Sequence, residues 1–247
     1  MGYNMDWFFI GSHPSVGDRL VIDGEDAVHI TKSLRMSVGE VITLCSPDKT
    51  EHKSMIESID GDGVHVRICD DEECFHEPDV DVTLFFAMTK GDKPETVIQK
   101  SVELGVHAIV PVLTSRCVAR PDKKSFEKKL ARYQKIALQA AMQSRRGIVP
   151  QVGMLTELQE AARMLKDYDR SILFYEGGGA PLRELVGAQD KKIAVFIGPE
   201  GGFSGDEVQL LCDSGCDRAT LGPRILRAET APLAALTAIM LLSGNLE

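Results

Sequence analysis

The sequence predicts an α/β protein, with a mainly parallel sheet and flanking helices preceded by a small β-rich domain. Three observations carry this. From residue 82 onward, short apolar runs alternate with helical periodicity, the pattern of parallel strands buried on both faces. Over residues 19–70 the runs are closer together and separated by turn formers. Charge is split in the same way: residues 1–75 hold 6 Lys and Arg against 15 Asp and Glu, the remainder holds 22 of each, and so the whole net charge of −9 lies in the first third. We therefore expect two domains, 1–76 and 77–247.

In the first domain, residues 19–22, 40–44, 54–59 and 63–68 read as β segments, with turns at Asp23-Gly24, Val38-Gly39 and Asp60-Gly-Asp-Gly63. One helical stretch, about residues 24–35, interrupts them and carries His29 and Arg35 near its end. The acidic run Asp70-Asp-Glu-Glu73 leads to Pro78 and reads as a linker. In the second domain the candidate strands are 82–87, 108–113, 171–175, 193–197 and 219–221. Pro94 in a first turn, helical spacing of Val97, Ile98, Ser101 and Val102, and Gly105 as a stop define one helix. A second covers 125–143, with Phe126, Leu130, Tyr133, Ala137 and Ala140 on one face. Ser204-Gly-Asp-Glu207 has the spacing of a capping box and opens a third. The last, 230–242, places Leu233, Leu236 and Met240 on one stripe.

Composition excludes several classes. With 43% apolar and 26% charged residues, the chain has no disordered, fibrous or repeat signature. No apolar run is long enough to cross a bilayer, and the N-terminus lacks the layout of a signal peptide, so a cytoplasmic protein with no membrane partner is expected. The six cysteines, Cys45, Cys69, Cys74, Cys117, Cys212 and Cys216, form no CxxC pair and read as free thiols. Zinc is disfavoured because no His or Cys falls at finger-like spacing, and no metal is expected. Net acidity is unusual for a nucleic-acid binder, which leaves the neutral second part as the better place for an RNA-facing surface.

Chemistry concentrates in three places. Ile197-Gly-Pro-Glu-Gly-Gly202 follows an apolar strand and precedes the capped helix. Its glycines would let backbone approach a ligand at the carboxyl end of a parallel strand, or would serve a tight strand-to-helix turn. It is neither GxGxxG nor GxxxxGK[ST]. Leu221-Gly-Pro-Arg-Ile-Leu-Arg227-Ala-Glu229 also joins a strand to a helix, and its Arg224, Arg227 and Glu229 suit phosphate binding, base orientation or simple pairing with each other. Basic residues recur at element ends: Lys90, Lys93 and Lys100, Arg116 with Arg120, and Arg145 with Arg146. Each is a candidate phosphate contact or a solvated face.

Five ordered motifs, His29…Leu34-Arg35, Lys90-Gly-Asp-Lys93…Gln99-Lys100…Glu103-Leu-Gly105, Gln143-Ser-Arg-Arg146, Ile197–Gly202 and Leu221–Thr230, resemble the bacterial ribosomal RNA small-subunit methyltransferase E family of the SPOUT class. The resemblance covers nearly the whole chain. It implies a PUA-like β-barrel domain followed by an α/β domain with a trefoil knot, a homodimer, and S-adenosylmethionine as cofactor. The implied cofactor residues are Ile197, Gly198, Pro199, Glu200, Gly201 and Gly202 in one loop and Leu221, Gly222, Pro223, Arg224, Ile225 and Leu226 in the other. The implied reaction is methylation of uridine N3 in 16S ribosomal RNA, in the decoding region of the 30S subunit. DNA is not among the partners. Arg227 and Glu229 are the expected catalytic pair; Arg35, Lys90, Lys93, Lys100, Arg116, Arg145 and Arg146 are the expected RNA contacts. The chain departs from the family pattern at Asp6-Trp7, where the family often has an Arg, at Arg145, where it commonly has Gly, and at Ala228, where it commonly has Thr. A non-catalytic RNA-binding assembly factor and a small-molecule methyltransferase are the alternatives.

Overall fold

The computed structural model describes residues 6–246; the first five residues of the expected first domain, and Glu247, lie outside them. The chain divides into two compact units, one of residues 1–77 with 141–149 and one of residues 78–140 with 150–247. The sequence alone assigned the segment 141–149 to the second.

The first unit holds β1 (Trp7–Phe9), β2 (Arg19–Ile22), a short helix α1 (Gly24–Val28), β3 (Val41–Cys45), β4 (Thr50–Ile59) and β5 (Val64–Glu73). They form one sheet in the order β1-β3-β4-β5-β2, antiparallel except for the parallel β1–β3 pair. Helix α1 continues into a π-helical turn, His29–Ser33, closed by Leu34 N–H donating to the His29 carbonyl. Alternation along the strands buries Val64, Val66 and Ile68 on β5, Ile42 and Leu44 on β3 and Ile56 on β4. The acidic run expected as a linker is strand instead. The register sets Lys53 opposite Asp70 and His52 opposite Asp71, and His52 Nδ1 lies 2.6 Å from Asp71 Oδ1, so partners on β4 hold the run extended. Trp7 is core, and its indole Nε1 donates to the Arg146 carbonyl at 3.0 Å. Burial pushes the thiols of Cys45 and Cys74 up to about 12, so both are protonated at neutral pH.

The same unit holds a buried ion pair. Arg146 Nε and Nη2 donate to the two carboxylate oxygens of Glu77 at 2.7 and 2.8 Å, and the Gly147 and Ile148 N–H groups donate to Glu77 Oε1. Arg146 has 3% of its surface exposed. Expected as an RNA contact, it is enclosed, and its guanidinium fork is taken up by Glu77.

The second unit contains β6 (Asp81–Ala87), α2 (Lys93–Glu103), β7 (Ala108–Leu113), α3 (Lys123–Gln143, its last residues falling in the first unit), β8 (Gln151–Val152), β9 (Thr156–Glu157), α4 (Leu158–Arg163), β10 (Arg170–Phe174), β11 (Ala180–Pro181), β12 (Lys192–Ile197), α5 (Gly205–Asp213), β13 (Asp217–Thr220) and α6 (Ala231–Leu242). The strands form one parallel sheet in the order β11-β13-β10-β12-β6-β7-β8, with β9 also on β7. Helices α4 and α5 cover one face, packing Leu158, Ala161, Val208 and Leu211 over Phe85, Leu173 and Phe196; Phe85 and Phe196 stack at 4.6 Å. Helix α6 packs on α2 and on β12 and β6. The α/β class and parallel sheet expected from the sequence are present.

Four helices end alike. In α2, α5 and α6 the chain turns through a left-handed glycine, Gly105, Gly215 and Gly244, whose N–H donates three residues back while the next N–H donates five back. Helix α3 makes the same pair of bonds, Arg145 to Met142 and Arg146 to Ala141, but its left-handed residue is Arg145, with φ 57°. A side chain there costs about 1–2 kcal/mol, partly offset because glycine frees the unfolded chain. Arg145→Gly is therefore expected to raise stability by about 0.5–1 kcal/mol, measured as a higher denaturant midpoint with an unchanged slope.

Candidate active site

Three neighbouring strands, β13, β10 and β12, run parallel, so the loops that leave them emerge at the same edge of the sheet. The order is not sequential. β12 lies between β10 and β6, and the edge of an α/β sheet where the order switches is where such folds place ligands.

The loops enclose a cavity of about 930 Å³, lined by residues 174–178 after β10, 197–202 after β12 and 220–228 after β13. Its volume lies within the ordinary range of small-molecule sites. All twelve residues expected to hold a cofactor line it, and so does Arg227. Ile225, 79% exposed, presents bare apolar surface to it.

Local chemistry shapes the loop after β12. Gly202 N–H donates to the Pro199 carbonyl at 2.9 Å, closing a turn that puts Gly202 at φ 65°. A side chain there would also collide with the Glu176 carboxylate. At Gly198 a Cβ would meet the buried Phe203 ring at 3.1 Å. The capping box forms as expected: Ser204 Oγ accepts from Glu207 N–H, and Glu207 Oε2 accepts from Ser204 N–H. The second Glu207 oxygen accepts from Ser115 N–H at 2.6 Å. Beside it, Arg116 Nη1 donates to the carbonyls of Gly201 and Phe203 at 2.8 and 3.1 Å. Arg116, expected to face RNA, braces the loop.

Lys93 ties the two loops together. Its Nζ lies 2.9 Å from Glu200 Oε1 and 3.4 Å from Glu229 Oε2. Hydrogen bonding to these carboxylates raises the Lys93 ammonium above its ordinary value. For Glu200, burial is the largest single cause and acts upward, but the Lys93 hydrogen bond and charge together with backbone N–H donors outweigh it, and the net direction is down. Glu229 is not among the lining residues; its carboxylate meets Lys93. Lys100 pairs with Glu103 at 2.8 Å, while Arg35, Lys90 and Arg145 are exposed. The loop after β10, with Tyr175 and Glu176, went unread in the sequence. Its signal was Glu176-Gly-Gly-Gly179 directly after an apolar strand.

A parallel α/β sheet with a glycine-lined cavity at its switch point, joined to a small β domain, defines the class of RNA methyltransferases with a PUA domain. Residues 76–240 match the family described as RNA methyltransferase domain, and residues 22–69 match the RNA methyltransferase PUA domain. The chain belongs to the ribosomal RNA small subunit methyltransferase E family. It is 37% identical over 225 residues, 88% of each chain, to the Bacillus subtilis protein of that name. The Neisseria gonorrhoeae protein of that name, crystallised with S-adenosyl methionine, is 31% identical with a TM-score of 0.87, covering 96% of this chain and 97% of that one. A Legionella pneumophila protein solved in complex with the bound cofactor SAM is 32% identical, with a TM-score of 0.87 and the same coverage.

Proposed function

We propose that the protein transfers a methyl group from S-adenosylmethionine to N3 of a uridine in 16S ribosomal RNA, in the cytoplasm, as a homodimer acting on the 30S subunit. The observation that carries this reading is the cavity at the ends of β10, β12 and β13, lined by glycine-rich loops. Backbone amides and carbonyls beside Ile197, Leu221 and Ile225 suit a ligand with a purine, a ribose and an amino-acid end. We also read the C-terminal segment as threaded into a trefoil knot, supported by β13 lying between β11 and β10 while α6 returns to pack on β12 and β6.

S-adenosylmethionine, when bound, supplies a methyl group already activated by its sulfonium. The chain must orient the acceptor and exclude water while the N3 imide proton passes to a base or water as the methyl group arrives. Arg227, on the cavity wall, is placed to stabilise negative charge developing on the uracil oxygens. Glu229 acts as a positioning residue through Lys93, and Arg116 as a positioning residue through the Gly201 and Phe203 carbonyls. A stacked uridine would be flipped into the cavity at a cost of a few kcal/mol, on the order of 2–4. Contacts from Arg35, Lys90, Lys100 and Arg145 to flanking phosphates would offset that cost.

Arg116→Ala is expected to weaken S-adenosylmethionine binding by roughly 10- to 100-fold in calorimetry, because two charge-assisted bonds to the loop disappear. Glu229→Gln separates two roles. A positioning role raises the KM for the cofactor about tenfold and leaves the pH–rate profile in place; a proton-accepting role would lower kcat and remove the acid limb of that profile. The reaction itself is tested with labelled S-adenosylmethionine and three acceptors: 30S subunits, naked 16S RNA and an RNA-free extract. Label in 30S subunits supports the reading. Cofactor binding with label entering small molecules only would favour a small-molecule methyltransferase, and RNA binding without cofactor binding would favour an assembly factor.

A further inference from the structure

Among the described residues, one group of three brings potential metal ligands together, and it lies in the first unit. Glu51 comes from β4; Cys74 and His76 follow directly on β5. The Glu51 and Cys74 side chains are buried, with Glu51 at 5% exposure, and His76 is about a quarter exposed, which leaves a path from solvent. His76 Nδ1 lies 3.3 Å from Glu51 Oε1 and 3.7 Å from Cys74 Sγ, and all three ligand atoms fall within 4.8 Å of one another.

We propose that Glu51, Cys74 and His76 form a binding site for a divalent cation of the zinc class, coordinated through a carboxylate oxygen, an imidazole nitrogen and the Cys74 sulfur, whose proton the cation displaces to solvent as it binds. Bonds of about 2.0–2.3 Å at tetrahedral angles hold such donors roughly 3.3–3.8 Å apart; the two separations from His76 Nδ1 fall in that range, and the Glu51–Cys74 pair, within 4.8 Å, needs at most a small side-chain adjustment. The donor set is the mixed S, N, O set that zinc accepts, whereas calcium and magnesium require oxygen alone. Three protein ligands leave a fourth position for water. The surroundings would orient the ligands: Phe75 stacks on the His76 ring at 4.1 Å, and Trp7 meets it edge-on at 5.7 Å. The cation would clamp β4 to the chain leaving β5. Sequence spacing hides the site, because the β4–β5 pairing, with Glu51 opposite Glu72 and Cys74 N–H donating to the Lys49 carbonyl, brings Glu51 near Cys74 and His76, with no local motif.

Trp7 is the one tryptophan in the chain and therefore reports on His76 directly. The full-length protein, stripped of metal by a chelator and kept reduced, is titrated with Co2+ and then Zn2+. The expected result is a sulfur-to-cobalt charge-transfer band and tetrahedral d–d bands that saturate at one equivalent, quenching of Trp7 fluorescence in step, and loss of both bands when Zn2+ displaces Co2+. Cys74→Ser should abolish the charge-transfer band, and His76→Gln should weaken Co2+ binding by at least about 100-fold, the upper end of what loss of an outer-shell partner costs. Cys212→Ser, in the other unit, should leave both signals intact. A wild-type protein that develops no thiolate band, or one whose Trp7 fluorescence does not respond, overturns the proposal without recourse to variants. A band that survives Cys74→Ser and disappears in Cys212→Ser also overturns it.

Discussion

Gly202→Val is expected to weaken S-adenosylmethionine binding by about 5- to 30-fold while the protein still folds. Gly202 sits at φ 65° in the turn closed on Pro199, and a β-branched residue is a strong outlier there. The local cost is about 1–2 kcal/mol before contacts are counted, and a side chain would also collide with the Glu176 carboxylate. The exposed Glu176 side chain can swing aside, so what remains is the backbone strain, relieved by re-orienting the loop 198–202, which forms one wall of the cavity and is held by Arg116. The cost is too small to unfold a domain and large enough to displace a backbone cradle. Calorimetry with the cofactor, alongside an unchanged far-ultraviolet circular dichroism spectrum, measures this. Tight binding by a folded Gly202→Val protein would show that the ligand does not depend on this loop.

Arg146→Met is expected to destabilise the first unit by about 3–5 kcal/mol, because it leaves the buried Glu77 carboxylate without its cation. Adding Glu77→Gln should recover most of the loss, since the amide oxygen can still accept from Gly147 N–H and no charge remains buried. Trp7, bonded to the Arg146 carbonyl, makes its fluorescence a local probe of that unit's unfolding. Acid should act through the same pair. Burial pushes Glu77 upward, but the Arg146 hydrogen bond and charge and the two backbone N–H donors outweigh it, so the carboxyl lies below its ordinary value of 4.5. A depressed carboxyl contributes stability in full above that value and loses it as pH falls through the folded value. The wild type should therefore lose Trp7-monitored stability on acidification below about pH 4.5, and the double variant should lose less. If Arg146 instead met RNA, Arg146→Met would lower RNA affinity and leave the unfolding midpoint unchanged.

What was legible in the sequence follows from what is local. Apolar runs marked β6, β7, β10 and β12 because both faces of a parallel strand are buried, and the capping box at Ser204 was readable because its two bonds span three residues. The two cofactor loops could be picked out because a backbone cradle leaves glycine and proline in the chain. The roles of the basic residues could not be read, because they depend on partners far along the sequence. Arg116 is 85 residues from Gly201, Arg146 is 69 from Glu77 and Lys93 is 107 from Glu200. Each looked like a free cation, and each is engaged. The run 70–73 was misread for the same reason, since Lys53 and His52 lie across a strand pair. Arg145 lay in plain view as a departure from the family's glycine, and its φ of 57° gives that departure a physical cost.

The most direct test is nucleoside mass spectrometry of 16S RNA from 30S subunits that lack the modification, after incubation with the protein and S-adenosylmethionine. The account predicts one new methylated nucleoside, N3-methyluridine, at a single position, and several-fold less of it with Gly202→Val at limiting cofactor. A methyl group on a ribose or on another base, or transfer that survives Gly202→Val unchanged, would contradict it.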